Sequence, residues 1–515
     1  MEGKDLFTFP TSTCVSAGAD LRVSHVRDAD MFKLTQNVLK TLTRQPISKD
    51  LSAYDDTIKA LNGLQSNLSV LIKAANAGSN SQSNNIALTH KYLKRSGVDL
   101  EKFERQIPVI HVSGTKGKGT TCNLCESVIR AHGYKTGLFT SPHLISVKER
   151  ISLNGVPLTY SEFTNHFWSV YSALDNNKEN EHDMPSYFKF LTVMAFNVFF
   201  KENVDVAIFE VGVGGEYDCT NIFQHTPIVG ITSLGLDHTS ILGTSLDQIA
   251  WQKAGIIKEG CRVFTVDDHK PLALKVIQER AKERNSRLIL VPKVDQYNWN
   301  LNHFGPAHVL NASLAVQLAF AFLNMKNNIT CNGLPELTID KASENAISQC
   351  DFPGRFQIVQ RGLHVYYLDG AHTKESVEFC SSWYCSVSQS QTKKIFIFNL
   401  THNRDPATLL KPFTKCKFDR VFFSPNSITT SQNTSPRDLF DLNASLTSPT
   451  ERLEAYKALW IEMASCDPNC VTVSSSLSET ISLVESNNEP SQILVSGSLH
   501  LVGSVLTCFT LNGHQ

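Results

Sequence analysis

The segment Val109-Ile110-His111-Val112-Ser113-Gly114-Thr115-Lys116-Gly117-Lys118-Gly119-Thr120-Thr121 constrains the fold of this chain more than any other stretch. The apolar run from Ile107 to Val112 predicts an inner β-strand, since a strand covered on both faces reads as continuous hydrophobics. Three glycines then let backbone N–H groups close on phosphate oxygens, and a helix starting near Thr120 presents its positive end to the same place. Gly114, Thr115, Lys116, Gly117, Lys118, Gly119 and Thr120 are therefore the candidate residues for a nucleoside triphosphate. Lys118 is placed to reach the β- and γ-phosphates, and Thr120 to hold Mg²⁺. The usual loop of this kind sets its hydroxyl residue directly after the lysine; here Gly119 intervenes. A glycine-rich turn with surface lysines is the plainer alternative, and the strand before and helix after it argue against that.

At 515 residues the chain exceeds one compact core, and its pattern divides in two. Strand-like runs at 136–139, 204–211, 228–233, 262–266 and 288–291 alternate with helical stretches, the rhythm of a mostly parallel, helix-covered sheet. A long apolar helix follows at 311–322, then a polar stretch at 326–332 and a helix at 341–349. From Pro353-Gly354-Arg355 the alternation resumes, with strands at 365–368, 394–398, 420–423, 471–473 and 493–495. The expected fold is α/β: a phosphate-loop ATPase domain over 53–351 and a smaller, Rossmann-like domain over 352–515. Residues 1–52 read as a poorly ordered tail, and 77–85 and 424–435 as polar loops. Ile58, Leu61, Leu64 and Leu68 place a helix over 54–71.

Composition excludes several classes. A formal net charge of −1 argues against a nucleic-acid binder that works through a general basic field. Thirteen cysteines without paired spacing read as reduced thiols, and the lone pair Cys122/Cys125 as packing rather than a zinc site. No apolar run approaches the length of a bilayer span and the start lacks a signal-peptide core, so a soluble protein is expected, cytoplasmic by its reduced thiols, and a monomer in that nothing in the sequence demands an interface. Residues 31–49 carry Lys33, Lys40, Arg44 and Lys49 with no acid, and Leu34, Val38 and Leu42 fall on one helical face. A start at Met31 would give them the character of a mitochondrial presequence.

Several strand ends carry chemistry. Glu210 closes an apolar strand and precedes Gly212, Gly214 and Gly215, which suits a hard cation beside closely approaching backbone. His238 follows the next strand; with Glu210 it would make a second metal site, though histidine is unusual for Mg²⁺ and the metal stays open. Lys253 lies among apolar neighbours, where a charge is costly. It either pairs with Asp247, snorkels to water, or loses its proton and adds CO₂ to become a carbamate. Arg355 and Asp369 stand at loop ends of the second block, suited to ribose and phosphate, with ordinary turn chemistry as the alternative for Asp369-Gly370. Arg404 adds another cation at a strand end.

Taken in order, HVSGTKGKGTT (111–121), TSPHL (140–144), KERISLNG (148–155), EVGVGGEYDCTN (210–221), LGLDHTSILG (234–243), IAWQKAGIIK (249–258), PGR (353–355), YLDGAHTKES (367–376), FNLTHNRDP (398–406) and VSGSLHLVG (495–503) resemble the eukaryotic folylpolyglutamate synthase family, within the Mur-ligase superfamily. The loop with glycine between lysine and threonine is typical of ATP-dependent amide ligases. The resemblance implies ATP-dependent addition of L-glutamate to the γ-carboxylate of a folate or of its glutamate tail, through an acyl phosphate. It implies ATP and two Mg²⁺ ions, with Thr120, Ser141, Glu210 and His238 at the metals and Asn311, Arg355 and Asp369 at the nucleotide. Lys118 and a carbamylated Lys253 would serve the chemistry, and His372, near Asp369, is the candidate base for the incoming amine. One departure stands out: the family's His-Gln pair is replaced by Ala307-His308. Dihydrofolate synthase is the nearest alternative, and a nucleotide-binding relative that has lost its chemistry is the next.

Overall fold

The computed structural model describes residues 48–64, 79–293, 306–329, 339–389, 391–401, 404–429, 448–486 and 489–511. Most of the expected tail, the presequence-like segment up to residue 47, Leu68 and the loop beyond 429 lie outside these residues.

Among the described residues the first sheet has eight strands, β1 (Val109–Ser113), β2 (Thr136–Phe139), β3 (Ile151–Leu153), β4 (Val156–Pro157), β5 (Val206–Glu210), β6 (Ile228–Ile231), β7 (Arg262–Val266) and β8 (Arg287–Val291). Their order is β4-β3-β2-β5-β1-β6-β7-β8, parallel throughout except that β3 runs antiparallel to both β2 and β4. β1 lies at the centre, with β5 on one side and β6 on the other. The strand order reverses there, so the loop leaving β1 opens into a crevice at the sheet's carboxyl edge. Every residue of β1, β5 and β6 is buried, which explains their mostly apolar sequence.

One face of the sheet is covered by the helices Lys118–Ala131 and Pro306–Lys326, whose Cys122, Cys125, Leu314 and Leu318 join Ile110 and Val112 in one core. The other face is aromatic: Phe196, Phe199, Phe209 and Phe223 pack ring against ring. The stretch His308–Lys326 is long and apolar enough to cross a membrane, which the composition reading did not anticipate. Here it is a core helix, with Ala312, Leu314, Leu318 and Phe322 fully buried.

The second sheet runs β13-β12-β11-β14-β10-β9, from β9 (Gln357–Arg361), β10 (His364–Leu368), β11 (Lys393–Phe398), β12 (Arg420–Phe423), β13 (Val471–Val473) and β14 (Ser491–Ser496). All neighbours are parallel except β9 against β10. Leu144 and Ile145, from the loop after β2, pack onto the core of this second sheet beside Leu501, Val502 and Val505.

Two local readings need correction. Residues 79–85 are not loop: they begin the helix Ser79–Arg95, which is held by Tyr92 and Leu93 in the core and by Arg95 paired with Asp183 at 2.6 Å. Tertiary packing overrides the weak helix preference of the Ser/Asn run. The helix Ser48–Gly63 likewise starts before residue 53.

Candidate active site

Backbone geometry builds the phosphate cradle. Gly114 has φ +143° and Gly117 φ +85°, the latter capping the helix Lys118–Ala131 in a left-handed conformation. A Cβ at Gly117 would stand 2.1 Å from Asn311 Oδ1, and one at Gly114 1.8 Å from Thr232 Oγ1, so neither site admits a side chain. Asn311 on the apolar helix therefore lies directly against the loop. The inserted glycine also has a use: Gly119 brings its backbone beside Glu210, where a Cβ would meet Oε2 at 3.3 Å.

Glu210, at the end of β5, is buried and accepts a hydrogen bond from Ser141 N–H at 2.8 Å. Burial raises its carboxyl above the usual range, opposed by Lys118, the Ser141 N–H, Arg355 and Arg150. Thr120, Ser141, Glu210 and His238 all line the same cleft. A buried carboxylate with hydroxyl groups nearby and room for water and phosphate oxygens is the donor chemistry Mg²⁺ accepts, so this edge fits that ion. Among the described residues no set of three or more His, Cys, Asp or Glu side chains forms a protein-only metal cage. His238 has φ +49°; burial lowers its imidazole, opposed by Asp237, and Lys118, Lys253 and Lys116 add to the lowering.

The lysines are set at different depths. Lys116 pairs with Asp237 at 3.2 Å. Burial alone would raise the Asp237 carboxyl, but Lys116 and His238 hold it down at about 2. Lys118 and Lys253 donate to one acceptor, the Gly114 carbonyl, at 3.1 and 2.7 Å. Lys253 is 3% exposed, and its own carbonyl accepts from Ser113 Oγ at 2.8 Å, which fastens its helix Leu246–Ala254 beneath β1. It has no ion-pair partner among the described residues, so neither pairing with Asp247 nor snorkelling describes it. Burial and Lys118 lower its ammonium to about 7.

From the second sheet come Arg355, Asp369, His372 and Arg404, all on the wall of the same cleft, which encloses about 1830 Å³. Asp369 is buried, and both its oxygens take backbone N–H groups, from Phe356 at 3.0 Å and Ala371 at 2.9 Å. It braces the turn that carries Arg355. His372 donates from Nδ1 to the Gly370 carbonyl at 2.9 Å, leaving Nε2 as an acceptor. Burial, Arg404 and Lys116 hold that imidazole down at about 3, so near neutral pH it carries only the Nδ1 proton and no second one.

Other parts of the site escaped sequence reasoning. Asp218 on the cleft wall accepts from Thr220 Oγ1, which accepts in turn from Nε2 of the buried His111 in β1. The ring pair Phe356–Trp383, with centroids 5.2 Å apart, forms an apolar side wall with Phe379. His308 packs edge-on against Phe356 and tilted against Phe352, so the Ala307-His308 departure falls where the two halves meet. The DCTN run was visible as sequence, but its link to His111 depends on the fold bringing the loop after β5 back against β1.

Comparison with known proteins agrees with this architecture. The family model for the dihydrofolate synthetase C-terminal domain matches residues 355–508. The mitochondrial folylpolyglutamate synthase of Cricetulus griseus is 41% identical over 404 residues, spanning 72% of this chain and 68% of that protein. A putative folylpolyglutamate synthase of Caenorhabditis elegans is 37% identical over 489 residues, spanning 90% and 94%. The Mycobacterium tuberculosis folylpolyglutamate synthase complexed with ADP shares the fold, with TM-score 0.68 at 21% identity over 89% of this chain and 99% of that one.

Proposed function

Because the chain belongs to the folylpolyglutamate synthase family, we propose that the cleft between its two sheets joins L-glutamate to the γ-carboxylate of a reduced folate, or of the glutamate tail already on it. It is an ATP-dependent folate–glutamate ligase. The observation that carries the site assignment is the meeting of the phosphate loop and Glu210 from one sheet with Arg355 and His372 from the other in one cleft.

A carboxylate lacks a leaving group. Transfer of the γ-phosphoryl group to it gives an acyl phosphate and ADP; the α-amino group of glutamate attacks, and phosphate departs, leaving the amide. Gly114 to Gly119 cradle the phosphates, and Lys118 neutralises charge on the transferring oxygens. Mg²⁺, when bound at Thr120, Ser141, Glu210 and His238, supplies further neutralisation of phosphate charge. Lys253 fits a carbamate, because an amine held at about 7 is neutral in part at physiological pH and free to add CO₂. Arg355 reaches the nucleotide from the second sheet, steadied by Asp369, while Asn311 and the Phe356–Trp383 wall flank the base side. His372 offers Nε2 to the incoming amine; at about 3 it orients that group more than it stores its proton. The seam near Phe352 divides an ATP-binding domain from a C-terminal ligase domain, and their closure excludes water from the acyl phosphate.

We further propose a monomer, with a cytoplasmic form and a mitochondrial one addressed by residues 31–49; relatives described as mitochondrial support the latter. A reporter fused to residues 31–60 that stays in the cytosol would dismiss that address. The activity is tested by mass spectrometry of tetrahydrofolate incubated with the protein, ATP, Mg²⁺ and L-glutamate, with dihydropteroate in a parallel tube. Successive glutamyl additions to the folate support the reading; product from dihydropteroate alone moves it to dihydrofolate synthase.

A further inference from the structure

The helix Lys374–Val387 has two working faces. Phe379, Ser382, Trp383 and Ser386 recur at helical spacing and line the cleft. Its neighbouring face packs on the 3₁₀ turn Lys411–Cys416, where Cys385 Sγ lies 3.1 Å from Cys416 Sγ. Cys385 is exposed, whereas Cys416 is buried, 2% exposed, with Sγ 3.6 Å from the Ser381 carbonyl. Lys415 ties the same turn to the helix through Ser382 Oγ at 3.0 Å. Two thiols on different elements, one open to solvent and one behind it, need a sulfur movement of only about 1 Å to reach bonding distance.

We propose that Cys385 and Cys416 form a peroxide-sensitive thiol pair that closes into a reversible disulfide and thereby sets the position of the helix that walls the nucleotide cleft. The chemistry balances in two steps. The Cys385 thiolate attacks hydrogen peroxide, giving a sulfenic acid and hydroxide, which takes up the thiol's proton to become water. The Cys416 thiol then displaces water from that sulfenic acid, forming the disulfide. In sum, two thiols and one peroxide give one disulfide and two waters. Cys385 is the attacking sulfur because it alone is open to the oxidant. Burial raises the Cys416 thiol and so keeps it from starting the reaction, while its place 3.1 Å behind Cys385 puts it where the resolving sulfur must stand. Closure draws the helix toward the turn and away from Phe356, loosening the apolar wall around Trp383. This second half rests on the nucleotide reading of the cleft.

The test uses the full chain, reduced and then exposed to hydrogen peroxide, alkylated and digested. The expected result is a Cys385–Cys416 cross-linked peptide that dithiothreitol removes, and, in the C416S variant, a Cys385 sulfenic acid trapped by dimedone. Recovery of both cysteines alkylated as free thiols, or of Cys385 overoxidised while Cys416 still alkylates, overturns the pair. ADP affinity is measured on the cross-linked and reduced protein, with a several-fold weakening expected and reversed by dithiothreitol. An unchanged affinity in fully cross-linked protein that still binds ADP overturns the coupling. The peptide readout does not depend on ligase activity, so failure of the functional reading is seen separately, as absence of ADP binding in the reduced protein.

Discussion

Two lysines donate to one carbonyl oxygen at Gly114, and only Lys118 stands where water can reach it. Lys253 carries the cost of that arrangement. Its ammonium is held at about 7, below the 10.5 of a solvated lysine, so between those values the unfolded chain binds the proton and the folded one does not. Stability contributed at this residue therefore rises with pH from about 7 toward 10.5, and the penalty is complete below pH 7. Lys253→Met should gain about 1–3 kcal/mol in urea unfolding at pH 6, with the gain shrinking by pH 9, while turnover falls by about 100-fold or more. A gain that grew with pH would contradict this burial account. Glu210 is the complementary case, a carboxylate raised by burial beside Gly119. Glu210→Gln should bind ADP without Mg²⁺ about as well as the parent but lose most of the strengthening Mg²⁺ brings, as read by titration with and without EDTA. If the Mg²⁺ effect survives, the carboxylate is not at the metal. His372→Ala should lower amide formation more than ATP affinity, since His372 lines the cleft and its Nδ1 is taken by the Gly370 carbonyl, leaving Nε2 as the acceptor; unchanged turnover would remove it from the site.

At the scale of elements, the loop between β1 and its helix depends on how closely the helix Pro306–Lys326 approaches it. Gly117→Ala would place a methyl 2.1 Å from Asn311 Oδ1 at a φ of +85°, costing about 1–2 kcal/mol in backbone strain before the clash is counted. Nucleotide affinity should fall at least about 100-fold, and Asn311→Ala added to it should restore part of the thermal stability but little of the affinity. Full restoration of affinity would mean that the glycine matters only for space. That loop was legible in the sequence because the strand, glycines and helix start are contiguous; so were the parallel strands, whose burial on both faces writes continuous apolar runs such as β5. Edge elements were less legible. The β3–β4 hairpin was missed although Asn154 and Gly155, at φ +51° and +73°, form the expected Asn-Gly turn. β9 was missed because Gln-Ile-Val-Gln-Arg mixes polar and apolar residues on an edge strand. Among site residues, Glu210 and Lys253 stood out as charges within apolar sequence, whereas Trp383 and Phe356 look like ordinary core aromatics until the fold brings them together.

For the molecule as a whole, ligation requires that ATP be spent only when the cleft is closed, and one contact between its halves bears on that. Leu144, in the loop after β2, inserts between Gly354 and the helix Leu499–Leu511 of the second half. A Cβ at Gly503 would stand 1.9 Å from the Leu144 carbonyl oxygen, so the absence of a side chain there lets the two halves meet. The same loop supplies Ser141, whose N–H holds Glu210, so displacing Leu144 disturbs the phosphate-facing edge from the second sheet's side. Gly503→Ala should hold the halves apart without touching the phosphate loop. ADP affinity should fall several-fold as Arg355 and the Phe356–Trp383 wall withdraw, while glutamate incorporation falls by a further tenfold or more, because an open cleft admits water to the acyl phosphate. The coupled enzyme releases one phosphate for each glutamyl unit added; in the variant, that ratio should rise above one. It is measured by following phosphate release and radiolabelled glutamate incorporation in the same tube. A ratio that stays at one with reduced turnover would assign Gly503 to positioning of the carboxylate rather than to water exclusion, and normal turnover at a ratio of one would mean that the second half closes without this contact.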